Sequence, residues 1–345
     1  MKNMLTNPHT AVLLVNLGTP DSPAPADVRK YLREFLSDRR VVDIGAIGRF
    51  LLVNLIIAPF RAPKSARVYR QLWTERGSPL LFYGQEVQAM LQQELGEGYT
   101  VRLAMRYQNP SIAAELEKLR TTPIRKLIVL PLFPQYASAT TGSVHEEVMR
   151  CLRQWEQIPH LILLDTYANN PTMISVYAEL GRKYMAQHQF DHFIFSYHGL
   201  PERQLRKADP NKRCIVDATC CHTYHQGNRL CYRAQCFETS RLLAKELGLR
   251  PEQYTTCFQS RLGTDPWIRP YTDETIERLV AEGKKSILAF SPSFVADCLE
   301  TTIEIGEEYK ELFEQKGGTH WQMVESLNNH PRWVQTLKEM VLANS

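Results

Sequence analysis

Apolar residues along the chain gather in eight short continuous runs: Ala11–Leu17, Val101–Tyr107, Lys126–Phe133, Leu161–Tyr167, His192–Tyr197, Tyr254–Gln259, Ser286–Ser291 and His320–Val324. Most are rich in β-branched residues and lack the polar alternation of a half-solvated sheet. That pattern predicts strands buried on both faces of parallel sheets. Between the runs, Glu86–Leu95, Ser111–Leu119, Met173–Gln187 and Asp273–Ala281 read as amphipathic helices. Strand and helix therefore alternate, which predicts a doubly wound, Rossmann-like α/β fold. The runs divide four and four near residue 170, so two similar α/β domains are expected, 1–170 and 171–345. A ligand cleft is expected between them, where the carboxyl ends of the strands meet polar turns.

Composition narrows the function classes. A chain of 345 residues with 43% hydrophobic and 23% charged residues suits two globular domains. A formal net charge of +4, with no dense Lys/Arg tract, argues against a nucleic-acid partner. The first ten residues hold one Lys and no apolar core, so no signal peptide is expected. The stretch Ile47–Pro59 is broken by Arg49 and Asn54 and reads as too short to span a bilayer. A cytoplasmic protein is expected, its eight cysteines reduced unless they hold metal.

Five of those cysteines fall between Cys214 and Cys236, inside some forty residues of little periodicity after the run ending at Tyr197. A structureless segment of that size is uncommon in a compact domain unless it is functional or pinned.

Four features carry candidate chemistry. Ser196-Tyr197-His198-Gly199-Leu200-Pro201 puts a histidine at a strand's carboxyl end, where it can accept a proton or bind a divalent metal; a buried structural histidine is the competing reading. After Ser291, Glu300, Glu304 and Glu308 share one stripe at i, i+4, i+8, an arrangement that calls for solvent or a cation. Arg106 and Tyr107 end a strand and suit carboxylate recognition and stacking, or a surface cap. Ile47–Pro59, continued by Phe60-Arg61-Ala62-Pro63, is either a buried helix or an exposed apolar lip for a flat greasy ligand or a bilayer edge.

Asn16-Leu17-Gly18-Thr19-Pro20, Met105-Arg106-Tyr107, Pro134-Gln135-Tyr136 through Thr141-Gly142-Ser143, Ser196 through Pro201, Phe258-Gln259-Ser260-Arg261 with Pro266-Trp267, and Asp297-Cys298-Leu299-Glu300-Thr301 closely resemble the ferrochelatases, in family order and across nearly the whole chain. The resemblance implies insertion of Fe2+ into a porphyrin, protoporphyrin IX in the closer-looking relatives, to make haem. It makes His198 the proton acceptor on the macrocycle and Glu300 its partner, with Glu304 and Glu308 as a path for Fe2+ and protons. It makes Leu17, Arg106, Tyr107, Trp267 and Phe294 cleft-lining substrate contacts, and 47–60 the hydrophobic lip, with peripheral contact to the inner face of the membrane. In some relatives a histidine stands where this chain has Cys298.

Some ferrochelatases carry a [2Fe–2S] cluster, and the cysteine segment resembles an internal version of that site. Cys214, Cys221, Cys231 and Cys236 are the expected ligands, with Cys220 the spare and able to exchange roles with Cys221. Zinc, with His222 and His225 nearby, is the rival occupant, and free thiols a third. Coproporphyrin III is the alternative substrate. A non-catalytic tetrapyrrole carrier and a cobalt or nickel chelatase are the alternative functions.

Overall fold

The computed structural model describes residues 9–210, 212, 214, 219–221, 223–261, 263 and 265–345. All eight expected strands form: β1 (His9–Gly18), β2 (Tyr99–Tyr107), β3 (Ile124–Pro131), β4 (His160–Leu163), β5 (His192–His198), β6 (Tyr254–Gln259), β7 (Ser286–Phe290) and β8 (His320–Met323). They build two four-stranded sheets, ordered β2-β1-β3-β4 and β6-β5-β7-β8, with every neighbour parallel. The four-and-four spacing is thus a repeated topology. β4 stops short of the expected Tyr167 because it is an edge strand whose pairing with β3 ends at Leu163.

The runs are continuous because both faces are covered. Leu13, Val15, Leu127 and Val129 pack with Ile112, Leu116, Val144 and Val148, all essentially unexposed. In the second sheet Ile194, Ile287 and Ala289 pack with Ile276, Leu279, Ile305 and Phe313. Truncating a residue such as Leu13 to Ala would cost about 2–5 kcal/mol.

The chain divides into two compact units, but not at residue 170. The first contains the chain through Phe133, Ser138–Asp165 and Asn328–Ser345; the second contains Pro134–Ala137 and Thr166–Leu327. The expected C-terminal domain therefore loses its last helix, Pro331–Leu342, which packs against helix Pro79–Leu95 of the first unit. Asn329 donates to Glu86 at 2.8 Å and Lys338 to Glu94 at 2.9 Å beside that contact.

Ile47–Phe60 belongs to a longer helical length, Ala46–Leu72, with a π-helical stretch at Leu52–Ile57. Ile47, Phe50, Leu55, Ile56 and Phe60 are 57–80% exposed, so the segment is a lip and not a buried helix. Among the described residues this is the one helix long and apolar enough to cross a membrane, contrary to its reading as too short. Its small residues Ala62 and Ala66 are nevertheless buried against Val28, with Leu32 and Tyr69 alongside, which docks it on helix Pro25–Ser37.

Candidate active site

β5 delivers His198 to the carboxyl end of the second sheet, half-buried. Its Nδ1 lies 2.7 Å from the carbonyl oxygen of Gly199. A carbonyl only accepts, so Nδ1 carries the proton and Nε2 keeps a free lone pair. The Trp267 ring stands beside the imidazole, 6.5 Å between centroids. Gly199 is required here by crowding: a Cβ would meet the Gln259 carbonyl oxygen at 2.7 Å and the Trp267 ring at 3.1 Å.

Gln259 is the register partner of His198 across β5 and β6, and it is buried. Its Oε1 accepts from Ser196 at 2.8 Å. Its Nε2 reaches the Glu300 carbonyl at 3.4 Å and the Glu304 carboxylate at 3.3 Å. One side chain thus links the histidine strand to the acidic helix. Ser260, the next residue, donates to Glu304 Oε1 at 2.8 Å and to Oε2 at 2.7 Å. Both lie in a segment that carries the family resemblance, yet residue type alone gave no reason to single them out. The polar pair at a strand's carboxyl end, where ligand turns are expected, was the available signal.

The acidic stripe lies on Leu299–Glu308, a π-helix of 10 residues and not the regular helix its i, i+4 spacing predicted. Such helices usually occur as single-turn bulges, often at functional sites. Cys298 caps it: its amide donates to Thr301 Oγ1 at 2.9 Å, and that hydroxyl returns to the Cys298 carbonyl at 3.0 Å. Along the stripe Glu300 and Glu304 are half-buried and Glu308 is exposed. Burial pushes the Glu304 carboxyl up to about 7; the charges of Glu300 and Glu308 add to this, and the Ser260 and Gln259 hydrogen bonds oppose it. Glu304 therefore exchanges a proton near neutral pH. Burial, then the Glu300 charge, raises the Cys298 thiol well above its ordinary range, so it stays a thiol beside that carboxylate.

The expected substrate contacts separate. Trp267 and Phe294 are half-buried in the same unit as His198, and Leu17 is half-buried at the end of β1 in the first unit. Tyr107 is fully buried, which corrects its reading as a stacking platform. Its hydroxyl donates to Asp38 at 2.9 Å, and Arg106 donates to the same carboxylate at 2.8 Å. Burial would raise the Asp38 carboxyl, but donors from Ser143, the Arg40 amide, Arg106 and Tyr107 hold it below its usual range. Arg106, half-buried and already paired, serves here as an internal strut. Among the described residues, Asn16 Nδ2 within β1, Thr19 Oγ1 just after it and Ser291 Oγ just after β7 are buried without a protein partner. Polar groups meant for a ligand leave that signature.

In the cysteine segment, the sulfurs of Cys220 and Cys221 lie 3.7 Å apart. A hydrogen bond from Cys221 holds the Cys231 thiol below its ordinary range. Cys220 thus sits beside Cys221, whereas Cys236 is fully buried, its thiol pushed up by burial. The Cys214 amide donates to Asp209 at 2.7 Å. Paired thiols suit a soft metal, yet among the described residues no three His, Cys, Asp or Glu side chains are arranged to hold one. His222 lies outside the described residues.

Two parallel four-stranded sheets of identical order, with a strand-end histidine whose register partner Gln259 bonds to a π-helical row of glutamates, define a chelatase-type α/β protein. The ferrochelatase profile matches residues 9–345. The chain is 46% identical to a ferrochelatase of Legionella pneumophila (strain Lens) over 330 residues, covering 96% of this chain and 98% of that protein. It is 43% identical to a ferrochelatase of Coxiella burnetii (strain Dugway 5J108-111) over 334 residues, covering 97% and 93%. The chain belongs to the ferrochelatase family, enzymes that insert ferrous iron into a porphyrin. Among solved structures it is similar in fold to SirB from Bacillus subtilis with Fe3+, with a TM-score of 0.55 at 11% identity, covering 97% of this chain and 94% of that one. The sirohydrochlorin chelatase SirB of Bacillus subtilis subspecies spizizenii in complex with cobalt gives a TM-score of 0.54 at 10% identity, with the same coverage.

Proposed function

We propose that this ferrochelatase converts protoporphyrin IX and Fe2+ to protohaem, with His198 as proton acceptor. The observation that carries the reading is the Nδ1 bond to the Gly199 carbonyl, which leaves Nε2 as a base. Metallation forms iron–nitrogen bonds and releases two pyrrole protons. The macrocycle must bend to present its lone pairs, and binding energy along its faces supports that strain. Trp267 and Phe294 supply apolar wall. Glu300 stabilises the incoming charge. Glu304 stores a proton near neutral pH, and exposed Glu308 exchanges protons and Fe2+ with solvent. Anaerobic Fe2+ with protoporphyrin IX or coproporphyrin III tests this. Haem from protoporphyrin supports it, product from coproporphyrin alone reassigns the substrate, and porphyrin bound without product favours a carrier.

The exposed lip supports a cytoplasmic enzyme resting peripherally on the inner membrane face: bare apolar side chains on a docked helix suit the acyl boundary.

For the cysteine segment the proposal is a [2Fe–2S] cluster on Cys214, Cys221, Cys231 and Cys236, with Cys220 exchangeable. The close thiols of Cys221 and Cys231 support it. The bound group would supply ordering energy to a segment with little apolar core. Anaerobically purified protein should be reddish-brown, with about two irons and two sulfides per chain. Colourless protein with one zinc would leave the rival site, with His225 a candidate ligand.

A further inference from the structure

One cavity takes no part in this chemistry. It is an open groove of about 420 Å³ on the surface of the first unit, lined by Ala26, Arg29, Lys30, Arg33, Glu34 and Ser37, all exposed, and by buried Gln108. Helix Pro25–Ser37 carries Arg29, Arg33 and Ser37 at i, i+4, i+8, a single stripe of hydrogen-bond donors. Lys30 is held by Asp21 at 3.3 Å. Neither arginine has a partner among the described residues. Two unpaired like charges one turn apart weaken a helix, so the pairing has a cost with no internal return.

Gln108 gives the second, independent sign. It is only 5% exposed and sits at φ +67°, in the left-handed region. Its backbone amide donates to Glu34 Oε2 at 3.0 Å, and its side-chain Nε2 donates to the same oxygen. Its Oε1 is buried without a partner among the described residues. The cavity therefore combines a wall of cationic donors with a buried acceptor held in place by Glu34. A bare anion would leave that acceptor unused, and a neutral polyol would leave the guanidinium groups unpaired.

We infer that this cavity binds a hydroxylated organic phosphate, its phosphate on Arg29 and Arg33 and a hydroxyl donating to Gln108 Oε1. Guanidinium forks match phosphate oxygens, and Ser37 offers a further donor. The volume is at the small end of the ~300–1,000 Å³ typical of ligand sites. Among the described residues no aromatic side chain lines the groove, so a nucleobase has nothing to stack on.

Calorimetry on the full chain with glycerol 3-phosphate, inorganic phosphate and glycerol tests the inference. Glycerol 3-phosphate should bind saturably and roughly tenfold tighter than inorganic phosphate, and glycerol should not bind. Arg29→Ala and Arg33→Ala should each weaken glycerol 3-phosphate about tenfold, the loss expected for a charge-assisted bond. Metal insertion without the phosphate should be unchanged in both. Absence of saturable binding, equal affinity for inorganic phosphate, or unchanged binding in both variants would overturn it. Vesicles of phosphatidylglycerol separate the sources, with the lip variant Leu51→Ser/Leu52→Ser/Ile56→Ser used to silence the apolar contact. Displacement of that variant by glycerol 3-phosphate identifies a lipid headgroup. Vesicles that fail to bind it, while the soluble ester binds, identify a soluble ester.

Discussion

The Ser260 hydroxyl lies within 2.8 Å of both carboxylate oxygens of Glu304, from a backbone position at φ +67°. A serine kept in the left-handed region costs backbone energy, and the surrounding structure must over-determine it. Here it fixes a carboxyl that burial would otherwise leave poorly oriented, and it moderates the upward shift of that carboxyl.

Glu304 ties stability to pH. Its folded value of about 7 exceeds the ordinary 4.5, so between these limits the native state holds a proton the unfolded chain has lost. Its contribution is therefore fully present below about pH 4.5 and falls away as pH rises through 7. Urea midpoints measured from pH 4.5 to 8 should fall more steeply for the wild type than for Glu304→Gln. Parallel curves would mean that Glu304 ionises normally.

Ser260→Gly removes the hydroxyl and suits the positive φ. It should keep the melting temperature within a few degrees and raise the Glu304 carboxyl further. The pH–rate limb near neutrality should then move to higher pH. A limb that stays in place would assign it to another group.

His198→Ala should reduce metal insertion by ~10²–10⁴-fold, the usual worth of a positioned proton acceptor. Porphyrin binding, followed by fluorescence quenching, should persist. More than about a tenth of the rate remaining would place the base elsewhere.

Gly199→Ala should be more harmful than an exposed glycine change. Its Cβ would meet the Gln259 carbonyl at 2.7 Å, and a backbone atom cannot yield as a flexible side chain does. A loss of about 1–3 kcal/mol is expected, as for overpacking, together with reduced activity. Wild-type stability and rate would show that β5 and β6 separate easily.

Replacing Leu51, Leu52 and Ile56 with Ser should weaken binding to porphyrin and to lipid vesicles with little thermal cost. Leu51 is 46% and Ile56 57% exposed, so little core is lost. A fall of more than about 8 °C would contradict an exposed lip.

Much of this architecture is legible in residue order. Continuous apolar runs such as Ala11–Val15 and Ile287–Phe290 are buried on both sides, and burial is what hydrophobic patterning reports. Strand-end position located His198 for the same reason. The i, i+4 glutamate spacing did not distinguish a π-helix from an α-helix, because both bring such residues to neighbouring positions. Tyr107 was misread because amphipathic residues suit a ligand wall and a core equally; Asp38, 69 positions away in sequence, decided the matter. The path of Pro331–Leu342 back to the first unit depends on long-range packing that no local pattern encodes.

That return path orders the protein's birth. Val334, Leu337 and Val341 are buried, so the first unit lacks part of its core until residues 328–345 have left the ribosome. Multidomain chains commonly fold from the amino end as they emerge. In this chain the second unit, closed by Leu327, can finish first, while the earlier-made one waits with apolar surface uncovered. A premature stop near the carboxyl end would consequently cripple the half of the molecule synthesised first and spare the unit that holds His198 and Glu304.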